Sequence, residues 1–224
     1  MLDYNYKKGA MIVMKKDLVE LVFILDKSGS MGGLEKDTIG GYNSLIRKQR
    51  KEKGEALVTT VLFSNNLKVI SDRKDIKNVE ELTDKEYCPS GCTALLDAVG
   101  ETINHIMHVQ SQLSDFEKPE KTIVIITTDG LENASREYNY AKVKELISLT
   151  KEKYNWEFLF LGANIDVNKE VDKMGIDPDF AVKYECNEEG IDANFCCLSN
   201  TISKARTTKK ISKDWKKDLL KEEK

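Results

Sequence analysis

Apolar residues along this chain fall into two alternating kinds of segment. Short continuous runs at 18–25, 56–63, 122–128 and 156–161 are rich in Val, Ile, Leu and Phe and read as buried strands. Between them the apolar positions spread to helical spacing. From 34 to about 50, Ile39, Tyr42, Leu45 and Ile46 share one face, and the basic stretch 48–53 with Gly54 closes the segment. From 93 to about 110 the inner face carries Leu95, Leu96, Val99, Ile103, Ile106 and Met107. Residues 138–154 repeat the pattern through Val143, Leu146, Ile147 and Thr150. A short helix at 167–174 leads to a strand at 180–184, and a last helix carries Ile191, Phe195, Leu198, Ile202 and Ala205.

After the turn Ser64-Asn65-Asn66, residues 67–72 return as a strand and make a hairpin. The stretch 72–88 is polar, with room for at most one helical turn at 79–82. Strands alternating with helices predict βαβ crossovers. The expected fold is therefore α/β: a doubly wound, Rossmann-like sheet of six strands, mostly parallel, with one antiparallel edge strand and helices on both faces. No repeat, low-complexity segment or Pro/Gly linker divides it. Residues 17–206 read as one domain, 1–16 as an extension of uncertain start, and 207–224 as a basic tail.

Candidate chemistry sits where the apolar runs end. The first run delivers Asp26-Lys-Ser28-Gly-Ser30 to a loop: one carboxylate, two hydroxyls at alternate positions, and no soft donor. That set suits a hard divalent cation such as Mg²⁺. Alone it is ordinary loop composition, since Ser and Asp favour turns and caps. Two distant pieces change its weight. Ser90-Gly91-Cys92-Thr93 opens a helix, and the run 123–128 ends in Asp129-Gly130.

At these residues the chain resembles the von Willebrand factor A (vWA, integrin I-like) domain. That family's metal-ion-dependent adhesion site, the MIDAS motif, combines Asp-x-Ser-x-Ser, a Thr at a helix start, and Asp-Gly after a later strand. Asp26, Ser28, Ser30, Thr93 and Asp129 occupy all five positions, with Gly91-Cys92-Thr93 where the family usually has Gly-Gly-Thr. The resemblance implies strand order 3-2-1-4-5-6, which sets strands one and four side by side at the switch point where open α/β sheets bind ligands. It further implies Mg²⁺ or Mn²⁺ (Ca²⁺ less suited), touched directly by Ser28, Ser30 and sometimes Thr93, with Asp26 and Asp129 acting largely through water. An open coordination position would then take an Asp or Glu carboxylate from a partner protein, and exchange of Thr93 and Asp129 between direct and water-mediated contact would give a switch. Intracellular microbial members, which work inside multiprotein assemblies, are the nearest type.

Composition narrows the alternatives. The net charge of −3 hides an asymmetry: residues 204–224 hold nine Lys/Arg against four Asp/Glu, which leaves the body 26 against 34. An acidic body offers no basic face for nucleic acid. The apolar runs are too short to span a membrane, and residues 1–16 lack a secretory pattern. With five cysteines, an odd number, this predicts a reducing, cytoplasmic location. Two other readings stay open: a metal-dependent hydrolase or phosphatase using Asp26 or Asp129, and a scaffold whose site is vestigial. Against the first, the second position of an aspartyl phosphotransferase's Asp-x-Asp is Ser28 here, and Gly29, Gly32 and Gly33 do not match a dinucleotide loop.

Lesser features are weighed the same way. His105 and His108 sit three apart without a ligand partner at zinc spacing. Cys88-Pro-Ser-Gly-Cys92 is one residue too long for a thioredoxin-like pair and reads as small-residue packing. Of Cys196 and Cys197, one should face the core. Glu132, Asn133 and Asn164 are candidates for the rim of the crevice. Ile211, Trp215 and Leu219 recur every four residues in the basic tail; the stripe reads as docking on its own domain or fraying, ahead of a partner or membrane surface.

Overall fold

The structure, a computed structural model, describes residues 15–217. Its six-stranded sheet has the order β3-β2-β1-β4-β5-β6. The strands are β1 (Lys15–Asp26), β2 (Glu55–Phe63), β3 (Leu67–Asp75), β4 (Pro119–Thr128), β5 (Glu157–Gly162) and β6 (Ala181–Lys183). Pairing is parallel for β1 with β2 and with β4, for β4 with β5, and for β5 with β6; β2 and β3 pair antiparallel. The helices are α1 (Glu35–Gln49), α2 (Leu95–Gln112), α3 (Tyr140–Tyr154), α4 (Val167–Met174) and α5 (Glu188–Thr208). The expected fold class is the observed one.

Both faces of the sheet are covered, which is why its strands read as unbroken apolar runs. Alternate residues divide between two cores. Leu21, Phe23 and Leu25 of β1, with Ile123 and Ile125 of β4, pack beneath α1 and α5. Val22, Ile24, Val124 and Ile126 face α2, α3 and α4. Shifting β1 by one residue would exchange these faces, so burial on both sides holds its register.

Several boundaries differ from expectation, each for a local reason. The strand expected at 67–72 continues to Asp75, and the short turn after it lies at Ile76–Asn78 rather than 79–82, capped by Asp75, whose side chain accepts from Lys77 N. Helix α2 begins at Leu95, so Thr93 lies just ahead of the helix. The start of α3 is set by Asn139, whose side chain accepts from Lys142 N. Strand β6 is only three residues long, because a 3-10 turn occupies Pro178–Phe180.

The tail packs on the same core. Ile211 and Trp215 are buried beneath α5, and Trp215 Nε1 donates to Asp179 O at 2.9 Å. Leu219, the third member of the stripe, lies outside the described residues, as does most of the 1–16 extension. No helix among the described residues is long and apolar enough to cross a membrane.

Candidate metal site

Strands β1 and β4 pair side by side, with Leu25 opposite Thr127, so their ends are level. Each then delivers a carboxylate to the same edge of the sheet. Asp26 and Asp129 are both buried, at 1 % and 3 % exposure.

The loop after Asp26 is a tight 3-10 turn at Gly29–Met31. Ser28 N donates to Asp26 Oδ1 at 2.7 Å, which folds the loop back over the carboxylate. Met31, 4 % exposed, anchors the turn in the core, and Gly33 exits at φ +92°, a conformation open to glycine. The turn holds Ser28 Oγ 3.2 Å from Ser30 Oγ, and Ser30 Oγ donates to Asp129 Oδ1 at 2.7 Å.

Thr93 arrives on a separate loop fixed by backbone bonds. Ser90 N donates to Lys27 O at 2.9 Å and Gly29 N to Gly91 O at 3.0 Å. Thr93 N donates to Asn133 Oδ1 at 2.9 Å, and Asn133 N donates back to Thr93 O at 3.1 Å. A Cβ built on Gly130 would lie 3.2 Å from Thr93 Oγ1 and 3.8 Å from Ser30 Oγ, so these two hydroxyls flank the glycine after Asp129. All five residues singled out in the sequence thus come together at one crevice.

The surrounding shell was not legible in advance. Thr128 Oγ1 donates to Asp26 Oδ2 at 2.7 Å, so both oxygens of that carboxylate are held. Tyr87 OH donates to Asp26 O at 2.6 Å from the polar stretch before α2. Cys186, half-buried after β6, donates its thiol to Asp129 Oδ2 at 3.9 Å and is hydrogen-bonded by the Asn164 side chain. Thr128 had a sequence signal, a hydroxyl directly before Asp129 at the end of the β4 strand; Tyr87 and Cys186 had none.

Glu132 and Asn133, expected at the rim, act as braces. Glu132 Oε2 accepts from Leu96 N at the start of α2, and its Oε1 accepts from Ala134 N and Ser135 N. Asn164 is exposed at φ +56° and reaches the crevice through Cys186.

Burial lifts the Asp26 carboxyl above the ordinary aspartate range, against the hydrogen bonds from Thr128 and Ser28, and the charge of Asp129 adds to the rise. Two buried carboxylates beside three hydroxyls form an oxygen-only set whose negative charge a divalent cation would relieve. The residues present therefore fit a hard cation. No cluster of three His, Cys, Asp or Glu among the described residues is arranged to hold a metal; hydroxyls make up most of this donor set.

Other candidates lie elsewhere. His105 Nε2 is 2.9 Å from Asp72 Oδ1 on an exposed face, where the pair links α2 to β3. Cys88 and Cys92 are free and exposed rather than packed, because the loop's backbone bonds, not its side chains, hold it in place. Cys197 is buried and Cys196 exposed, as expected for adjacent residues on a helix.

Solved structures of similar fold include the manganese-loaded TRAP protein of Plasmodium vivax, at 18 % identity and TM-score 0.53 over 80 % of this chain and 73 % of that one. The vWF domain of the type V pili tip protein Mfa5 from Porphyromonas gingivalis gives 11 % identity and TM-score 0.60, covering 84 % of this chain and 95 % of the other. Proximal thread matrix protein 1 of the mussel byssus, solved with a zinc-occupied MIDAS motif, gives 13 % and 0.60 over 85 % of this chain and 49 % of its own. The chain thus spans about half the length of the mussel protein. No curated protein matches it. The family profile of the von Willebrand factor type A domain matches residues 20–191. With that match over most of its length, the chain belongs to the von Willebrand factor type A domain family.

Proposed function

We propose that this chain is a cation-dependent protein-binding module rather than an enzyme, with Asp26, Ser28, Ser30, Thr93 and Asp129 as a complete MIDAS-type site for Mg²⁺ or Mn²⁺. The observation that carries the reading is the convergence of two buried carboxylates and three hydroxyls from three loops, with Ser30 Oγ on Asp129 Oδ1 at 2.7 Å. Ser28, Ser30 and Thr93 supply neutral oxygens, so the site carries less negative charge than a carboxylate cage. When bound, the cation would supply a partly neutralised positive charge able to accept an Asp or Glu carboxylate from a partner protein. Thr128, Tyr87 and Asn133 hold the donors in place, so little ordering remains to be done on binding. The absence of a disulfide among the five cysteines, all within the described residues, accords with a reducing, cytoplasmic setting and a role within an intracellular assembly of microbial type.

The test is capture of partners by the immobilised chain in Mg²⁺ and in EDTA, with wild type and Ser28→Ala. A partner retained only by wild type with Mg²⁺, and lost when one of its own Asp or Glu residues is replaced, supports the reading. Retention that ignores both EDTA and Ser28→Ala contradicts it.

A further inference from the structure

At the end of the sheet opposite the metal site, the starts of β4 and β5 and the last turns of α2 and α3 enclose a cavity of about 400 Å³. That volume lies in the range of small-molecule sites. Thr122 on its wall precedes Asp129 by seven residues, about 23 Å at the rise of a strand. Met107, Pro119 and the rings of Tyr154 and Trp156 make the sides apolar. Trp156 is 3 % exposed and packs on Phe158 with ring centroids 6.4 Å apart, which fixes that wall. Aromatic faces and a thioether favour a flat aromatic ring over an alkyl chain.

One polar group inside the cavity lacks a partner. Gln110, 9 % exposed, donates through Nε2 to Glu20 Oε2 at 2.8 Å and to Thr122 Oγ1 at 3.0 Å. Both amide protons are thereby used, and no donor among the described residues reaches Oε1. Gln110 lines the cavity, so this acceptor is offered to whatever enters, and a buried acceptor without a donor costs free energy. The charges at the opening have one sign. Lys118 and Lys153 border the cavity, and no Asp or Glu among the described residues lines it. Lys118 is shared with Asp115 at 2.9 Å, whereas Lys153 makes no ion pair among the described residues.

We propose that this cavity binds a small aromatic acid bearing a ring N–H, the chemistry that indole-3-acetate represents. The ring packs against Trp156 and Met107, its N–H donates to Gln110 Oε1, and its carboxylate meets Lys153. Each requirement excludes a different competitor: an alkyl acid lacks the ring, an N-methylated ring lacks the donor, and an aromatic amine carries the wrong charge. The site is independent of the cation-site reading and needs no metal.

The experiment is calorimetric titration of the full chain with three probes: indole-3-acetate, its N-methyl analogue, and tryptamine. Gln110→Met removes the acceptor while keeping the side chain's length, and Lys153→Glu reverses the charge at an exposed position that does not threaten folding. Binding of indole-3-acetate in preference to the other two by about fivefold or more supports the proposal. So does a reversed order of indole-3-acetate and tryptamine in Lys153→Glu, together with loss of the preference over the N-methyl analogue in Gln110→Met. Equal binding of all three probes that ignores Lys153→Glu overturns it, as does no binding of indole-3-acetate at millimolar concentration. Mn²⁺ titrated into the same samples reads the metal site separately, so neither result decides the other.

Discussion

Ser30 Oγ donates to Asp129 Oδ1 at 2.7 Å, although the two residues are 99 positions apart in the chain. The bond exists because β1 and β4 are parallel neighbours ending level, and because the turn at Gly29–Met31 brings Ser30 back over the sheet edge. It joins the loops that carry both carboxylates.

A ligand that binds only the folded chain stabilises it by mass action. At a free Mn²⁺ concentration a hundredfold above the dissociation constant, the gain is about 2.7 kcal/mol. For a domain of this size that corresponds to a rise in Tm of roughly 5–10 °C. Differential scanning calorimetry in Mn²⁺ and in EDTA should show this rise for wild type and about half of it or less for Ser28→Ala/Ser30→Ala.

The crossing of α1 and α5 is closed by a glycine. A Cβ on Gly41 would overlap the Phe195 ring, whereas one on Gly40 would meet nothing within 4 Å. Gly41→Ala should therefore destabilise by about 1–3 kcal/mol through overpacking. Gly40→Ala, one residue away, should stabilise by about 0.5–1 kcal/mol through helix propensity. Urea unfolding of the two variants side by side reads the difference.

Much of this architecture was legible because a parallel strand buried on both faces favours apolar or β-branched residues throughout, as in 122–128. The five site residues were legible because they sit where such runs stop or where a helix is about to start. Tyr87 was not, since its bond to Asp26 O links a stretch without periodicity to a strand 61 residues away. Cys186 was hidden for a similar reason: only the three-residue β6, too short for a pattern, brings it beside Asp129. The tail showed its apolar spacing but not its destination, which depends on the Trp215 bond to Asp179 O.

That destination carries energy. Trp215 is 7 % exposed and belongs to the core under α5. Trp215→Ala should cost about 3–5 kcal/mol, seen as a lower guanidinium midpoint. A loss below about 1 kcal/mol, the scale of a surface substitution, would mean that the tail contributes nothing to the fold.

Glu20 gives a pH signature. It is fully buried in β1, with Arg73 Nε at 2.8 Å, Gln110 Nε2 at 2.8 Å and Asp72 nearby. Burial outweighs the Arg73 charge and lifts its carboxyl above the ordinary value of 4.5. Between the unfolded and folded values the native state holds a proton that the unfolded chain has released. Glu20 therefore stabilises the fold below that window, and the contribution falls as pH rises through it. Glu20→Gln cannot titrate, so its stability relative to wild type should improve from about pH 4 to about pH 7 in paired urea titrations. A constant difference across that range would place the Glu20 pKa at its unfolded value.

The most direct measurement is isothermal titration of Mn²⁺ into wild type, Ser28→Ala/Ser30→Ala and the distant control Thr83→Ala. The cation-site reading predicts one ion bound by wild type and by Thr83→Ala, with affinity lowered at least about tenfold in the double variant. Equal binding by all three proteins, or none by wild type, would contradict it.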